Sequence, residues 1–196
     1  MRCFLSALLT PYLYFRALSS GQRFVYSFFQ DPSLSEPLAV QLCASCLTSF
    51  FDNPKLEELY IRGCSDISGL EKLSGLKVFS FWNADISDLS YISSLHKLND
   101  LEVRTSNDLD CRNIDQLCEL EKLEIFGDLL SNYQSIADLP KLSYLSIQVD
   151  NYNLFDLSFI KQSDSIKKVT LWKVPEDKQQ SIKEEFENSG IEIKFK

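Results

Sequence analysis

Six times between Leu56 and Leu171 the sequence returns to one apolar spacing, L-x-x-L-x-L, with Leu, Ile, Val or Phe at each apolar place. The segments begin at Leu56, Leu76, Leu98, Leu120, Leu142 and Ile166, in steps of 20, 22, 22, 22 and 24 residues. The triplets are Leu56/Leu59/Ile61, Leu76/Phe79/Phe81, Leu98/Leu101/Val103, Leu120/Leu123/Ile125, Leu142/Leu145/Ile147 and Ile166/Val169/Leu171. Chance alternation does not keep its phase over so long a stretch, and a fixed period of this size marks a repeat architecture.

The second half of each unit has its own rhythm. Apolar residues recur every third position: Ile86, Leu89, Ile92 and Leu95, then Ile114, Leu117 and Leu120, then Ile136, Leu139 and Leu142. Alternation in the first half predicts a strand, and the period of three predicts a tight 3-10 or helical return. Strand, turn and short return make one coil of a solenoid. Each return brings the chain back in the same direction, so the strands stack in parallel. A single coil cannot cover its own apolar face, whereas stacked coils cover one another's. Each fully buried aliphatic side chain contributes on the order of 1.5–3 kcal/mol against the entropy of ordering the chain.

The unit LKVFSFWNADISDLSYISSLHK, residues 76–97, together with the six triplets, resembles the leucine-rich-repeat family, in particular its 22-residue class of internalin-like bacterial repeats. The resemblance covers about residues 56–174. It implies an α/β solenoid with a parallel sheet on the concave face and short returns on the convex face, capped at its ends by helices. It also implies an Asn at the ninth position of each coil that hydrogen-bonds the turn backbone. Here that place holds Cys64, Ala84, Ser106 and Asp128. Asn83 falls one residue early and Asn107 one late, so local shifts of the coil are expected.

The open ends of a solenoid need covering. Pro175, Glu176 and Asp177 predict a helix start, Ile182 and Phe186 share one face of that helix, and Ser189-Gly190 stops it. Ile191, Ile193 and Phe195 then alternate as a final strand. On the other side, Ser35-Glu36-Pro37 predicts a helix with a Leu38/Leu42/Cys46/Phe50 stripe, ended by Asn53-Pro54. Arg23–Phe29 reads as a capping strand or a degenerate repeat, and residues 1–22 have no clear phase. The expected organisation is one domain over 1–196: an N-terminal cap or degenerate repeat at 1–55, repeats at 56–174, and a helix-strand cap at 175–196.

The residue after the third apolar position of each triplet forms a column down the sheet: Arg62, Trp82, Arg104, Phe126, Gln148 and Trp172. The preceding column is Tyr60, Ser80, Glu102, Glu124, Ser146 and Thr170, with Tyr144 and Lys168 nearby. Solvent-facing strand positions favour polar residues, yet the first column is dominated by aromatics and Arg, the types enriched at interface hot spots. Parallel strands lie about 4.8 Å apart, which lets Arg104 stack between the rings of Trp82 and Phe126. Tyr60, Arg62, Trp82, Arg104, Phe126, Tyr144 and Trp172 are therefore the expected partner-binding residues.

Charge and composition narrow the function. The net charge of -8 argues against nucleic acid, whose binding needs clustered Lys and Arg. Overall acidity would suit a protein partner with a basic surface. Of six cysteines, only Cys43 and Cys46 form a CxxC, and His96 is the sole histidine, so no metal or other cofactor is expected. Scattered cysteines fit a reducing compartment and a cytoplasmic location. Arg2, the apolar run Cys3–Leu9 and Ala17-Leu18-Ser19 leave a cleaved secretion signal as the alternative. No stretch approaches the ~20 apolar residues of a membrane span. His96 has no Ser, Cys or Asp paired with it by spacing, and the six glycines form no phosphate-binding loop. The expectation is a non-catalytic protein-binding scaffold, monomeric, of the regulator or toxin-neutralising immunity type. The alternative is an exported or surface-associated repeat protein of the adhesion or effector type.

Overall fold

A computed structural model describes residues 15–19, 22–26, 56–62, 67, 69–84, 86–152 and 155–196. Its main sheet contains β1 (Phe15–Ser19), β2 (Gln22–Tyr26), β3 (Leu56–Arg62), β4 (Val78–Ala84) and β5 (Asp100–Thr105). It continues through β7 (Lys122–Phe126), β9 (Tyr144–Gln148), β10 (Lys168–Leu171) and β11 (Glu192–Phe195). Two short strands, β6 (Leu109–Asp110) and β8 (Leu130–Ser131), form a second parallel pair where the returns begin. The nine-stranded order is β11-β10-β9-β7-β5-β4-β3-β1-β2. From β3 to β11 every pairing is parallel.

The registers follow the repeat. Leu59, Phe79, Leu101, Leu123, Leu145 and Val169 are aligned across the strands, as are Ile61, Phe81, Val103, Ile125, Ile147 and Leu171. All are buried, and the first Leu or Ile of each triplet is buried with them. A backbone staircase sets this register just before the strands. Lys77 N–H donates to Glu57 O at 2.8 Å, Asn99 to Lys77 at 2.8 Å, Glu121 to Asn99 at 2.9 Å and Ser143 to Glu121 at 2.9 Å. Lys167 to Ser143 and Glu192 to Lys167 extend it into the last coils.

The returns are 3-10 turns: Leu70–Lys72, Ser90–Ile92, Ile114–Gln116, Tyr133–Asp138 and Ser158–Gln162. The period of three closes them with i+3 bonds such as Leu95 N–H to Ile92 O at 2.9 Å. Carboxylates open several of them: Asp88, Asp110 and Asp156 accept the N–H two residues on, from Ser90, Arg112 and Ser158. Two of the turns are preceded by Asn in the left-handed region, Asn113 at φ 66° and Asn132 at φ 51°, a conformation Asn tolerates well. The last full coil is two residues longer than the three before it, and Phe155 and Phe159 in it pack on Tyr133 at 4.4 and 5.3 Å.

The strand ends are irregular around two of the altered ninth positions. Register slips between Trp82 and Ala84. In the next coil Ser106 is exposed, and Thr105 stitches the turn instead. Its hydroxyl donates to Ile86 O at 3.3 Å and accepts from Asn107 N–H at 3.0 Å.

Both ends of the described sheet add strands. The helix α1 (Glu176–Phe186) buries Ile182 and Phe186, Gly190 turns the chain at φ 74°, and β11 joins β10 in parallel, as the sequence predicts. At the other end β1 and β2 form an antiparallel hairpin, with β1 running antiparallel to β3. Gln22–Tyr26, overlapping the segment read as a capping strand or a degenerate repeat, is the outermost strand at this end of the described sheet. The helix expected from Ser35 to Phe50 lies outside the described residues.

Candidate functional site

The sheet register places Arg62, Trp82, Arg104, Phe126 and Gln148 side by side. Trp172 follows β10 by one residue and holds the same place: its N–H donates to Ile147 O at 2.9 Å. Trp82, Arg104, Phe126, Gln148 and Trp172 sit toward the C-terminal end of their coils' strands, on the face away from the aliphatic core, because side chains alternate along a strand.

Trp82, Arg104, Phe126 and Trp172 stack on one another. The Arg104 guanidinium carbon lies 4.6 Å from the Trp82 ring centre and 3.9 Å from that of Phe126. Trp172 meets Phe126 edge-on at 5.8 Å. It reaches past Gln148 because its indole N–H donates to Ser146 Oγ at 2.9 Å. Lys196 closes the line, with its ammonium 4.9 Å from the Trp172 ring centre. The guanidinium is anchored from below: Arg104 Nε donates to Glu102 Oε1 at 2.6 Å, and Ser80 Oγ donates to Glu102 Oε2 at 2.9 Å. A charge held between two rings and a fixed carboxylate loses little conformational freedom on meeting a partner.

This arrangement corrects one sequence expectation. The column is not fully solvent-facing: Phe126 is only 6% exposed, because Arg104 and Trp172 cover both sides of its ring. Trp82, Arg104 and Trp172 are half-buried. The large apolar side chains most open to solvent among the described residues are Tyr91 at 48% and Leu129 at 47%, neither of them in the column. The preceding column is also more covered than alternation suggests, with Ser80, Ser146 and Thr170 buried.

The other expected residues stand apart from the stack. Tyr60 is half-buried and its hydroxyl donates to Glu58 at 3.3 Å. Tyr144 donates to Thr170 Oγ1 at 3.2 Å and carries the Lys168 ammonium at 5.6 Å from its ring. Arg62 shares the register of Trp82, and its side chain lies outside the described residues. Sequence reasoning missed Lys196, Glu102 and Ser146 as parts of the stack. Lys196 was legible: aligning Ile193 and Phe195 with Val169 and Leu171 puts it directly after Trp172.

Beside the stack lies a charged cluster on β5 and β7. Lys122 Nζ is 3.3 Å from Asp100 and 2.8 Å from Glu124. Burial is the main influence on Asp100 and pushes its carboxyl above the ordinary aspartate range, with Lys122 pulling the other way. For Lys122, burial opposes the charge, but Glu124 and Asp100 outweigh it and raise the ammonium. The folded chain therefore binds the Asp100 proton more tightly than the unfolded chain does. The contribution of this group to stability is greatest at low pH and falls as pH rises through the folded value. Asp100→Asn should match or exceed the wild type in stability near about pH 7 and show no advantage near about pH 3, below the ordinary aspartate range. Urea unfolding at the two pH values checks this.

Nothing in the described residues assembles a reacting centre. His96 is exposed, with Nδ1 3.3 Å from Gln116 O. Cys111 and Cys118 are free thiols. Burial, with Asp110 adding to it, pushes the Cys111 thiol up to about 12, far from a reactive thiolate. Among the described residues no group of three His, Cys, Asp or Glu side chains could hold a metal ion, and no helix is long and apolar enough to cross a membrane. Cys43 and Cys46 lie outside the described residues.

Comparison with solved structures gives the architecture its name. An internalin of Listeria monocytogenes matches 72% of this chain at 21% identity with a TM-score of 0.53. A leucine-rich-repeat protein of Leptospira interrogans matches 76% at 21% identity with a TM-score of 0.58. Internalin C2 of Listeria monocytogenes matches 76% at 18% identity with a TM-score of 0.57. The matched part spans 39% of the first two proteins and 66% of the third. No family model matches the sequence, and no curated protein does. The likeness shows the fold, a leucine-rich-repeat solenoid.

Proposed function

We propose that this chain is a non-catalytic scaffold that binds another protein across the sheet face carrying Trp82, Arg104, Phe126 and Trp172. The observation that carries the reading is the fixed Arg104 sandwich. A cation held between Trp82 and Phe126 and anchored by Glu102 is a preorganised recognition group. Both tryptophans of the chain lie on the same line. Trp and Arg dominate binding hot spots because they combine large contact area with directed hydrogen bonds. Trp82 to Trp172 covers four strand spacings, about 19 Å, a span suited to a protein surface or an extended segment.

Trp82→Ala combined with Trp172→Ala should abolish capture of the natural partner while the far-ultraviolet circular dichroism spectrum stays that of the wild type. A folded double variant that still captures the same partner would falsify the assignment of this face. Loss of two hot-spot tryptophans is expected to weaken binding by about 4 kcal/mol or more, roughly a thousandfold.

A further inference from the structure

The charge on the sheet face changes along its length, and this bears on the kind of partner it takes; the inference rests on the binding reading above. The whole chain is acidic, with a net charge of -8. The C-terminal end of the sheet face is not. β10 and β11 place Lys168, Lys194 and, directly after β11, Lys196 beside Tyr144, Thr170 and Trp172. Lys194 and Lys196 are exposed and Lys168 is half-buried.

Lys168 and Lys196 lie over the rings of Tyr144 and Trp172, at 5.6 and 4.9 Å. The carboxylate in their midst, Glu192, pairs with Lys194 at 2.8 Å. Rings, unlike carboxylates, hold an ammonium in place without neutralising it. Toward the middle of the face the balance reverses: Asp100, Glu102 and Glu124 surround Lys122 and Arg104.

We infer that this face binds an extended acidic polypeptide segment, its carboxylates over Lys168 and Lys196 and its apolar side chains against Trp172 and Trp82. Charge complementarity selects the acidic end, and the aromatic line supplies a surface for apolar groups. From Trp82 on β4 to Lys196 beyond β11 is five strand spacings, about 24 Å, which about seven extended residues span. A nucleic acid is disfavoured by the same layout. A nucleic acid carries phosphates along its whole length and would meet Asp100, Glu102 and Glu124, whereas a polypeptide can confine its carboxylates to the end over Lys168 and Lys196.

Both tryptophans sit on this face, so tryptophan fluorescence, excited where tyrosine does not absorb, reports on it alone. Three probes separate the possibilities: a peptide of about eight residues with Glu at alternate positions in one half and Leu and Ser in the other, its Lys-for-Glu counterpart, and an oligothymidylate of similar span. The Glu peptide should give a saturable emission change that weakens as salt rises. Lys168→Glu with Lys196→Glu, checked for wild-type melting, should weaken it about tenfold or more, and Lys168→Arg with Lys196→Arg should restore it. Equal or tighter binding of the Lys peptide or the oligothymidylate overturns the inference. So does no response to the Glu peptide, or binding indifferent to the charge reversal. If the inference fails while the double Trp variant still loses the natural partner, the binding reading stands. If partner capture survives in that variant, both fall.

Discussion

Leu123→Asp leaves the chain unfolded at room temperature. Leu123 lies in β7 with no solvent exposure, aligned between Leu101 and Leu145 in the stacked row of the core. Truncating such a leucine to alanine already costs about 2–5 kcal/mol. A carboxylate there has no cation or donor to satisfy it, which adds several kcal/mol more. Domains of this size are stable by only about 5–15 kcal/mol. Because each coil is covered by its neighbours, a break in the middle of the row also exposes the coils beside it. The matched control is Leu129→Asp, the same substitution at a residue 47% exposed. It should melt within a few degrees of the wild type. Circular dichroism melting of the two variants reads the difference.

Phe126→Ala costs about 3 kcal/mol, although the residue lies on the sheet face and not in the aliphatic core. A solvent-facing phenylalanine would cost far less. The difference is the cover given by Arg104 at 3.9 Å and Trp172 at 5.8 Å, which leaves the ring 6% exposed. Removing it takes one ring from Arg104 and opens the edge of Trp172 to water, so tryptophan emission should move to the red. Phe126→Leu should recover part of the stability and none of the ring stacking. A double-mutant cycle with Arg104→Met isolates the stacking energy, expected at about 1 kcal/mol. Coupling indistinguishable from zero would mean that the guanidinium only rests beside the ring.

The parts of the fold legible in the sequence are those fixed by periodicity or by backbone chemistry. Leu59 through Val169 sit in register because a strand repeats its apolar face every second residue and each coil has nearly constant length. The C-terminal cap was legible because Pro175 begins a helix readily and Gly190 takes a positive φ that other residues resist. The pairing of Phe15–Ser19 with β3 was not legible. An antiparallel hairpin at the sheet's end follows from contacts between segments, and Phe15–Ser19 carries no repeat to align.

The candidate site divides the same way. Strand alternation placed Trp82, Arg104, Phe126 and Trp172 in one column and allowed Arg104 to stack between two rings. It could not foresee that Phe126 is covered, since alternation assigns a face and says nothing of what lies on it. Nor did the net charge foretell the Lys168, Lys194 and Lys196 cluster, because composition averages over both faces of the solenoid.

Acrylamide quenching of tryptophan fluorescence, with and without saturating partner, tests the central claim most directly. Trp82 and Trp172 are the only tryptophans in the chain and both lie on the proposed surface, so a partner without tryptophan, or one labelled to silence its own, leaves no other source of signal. If the sheet face is the binding surface, the quenching constant falls severalfold on saturation. An unchanged constant in a fully formed complex would place the partner elsewhere on the solenoid.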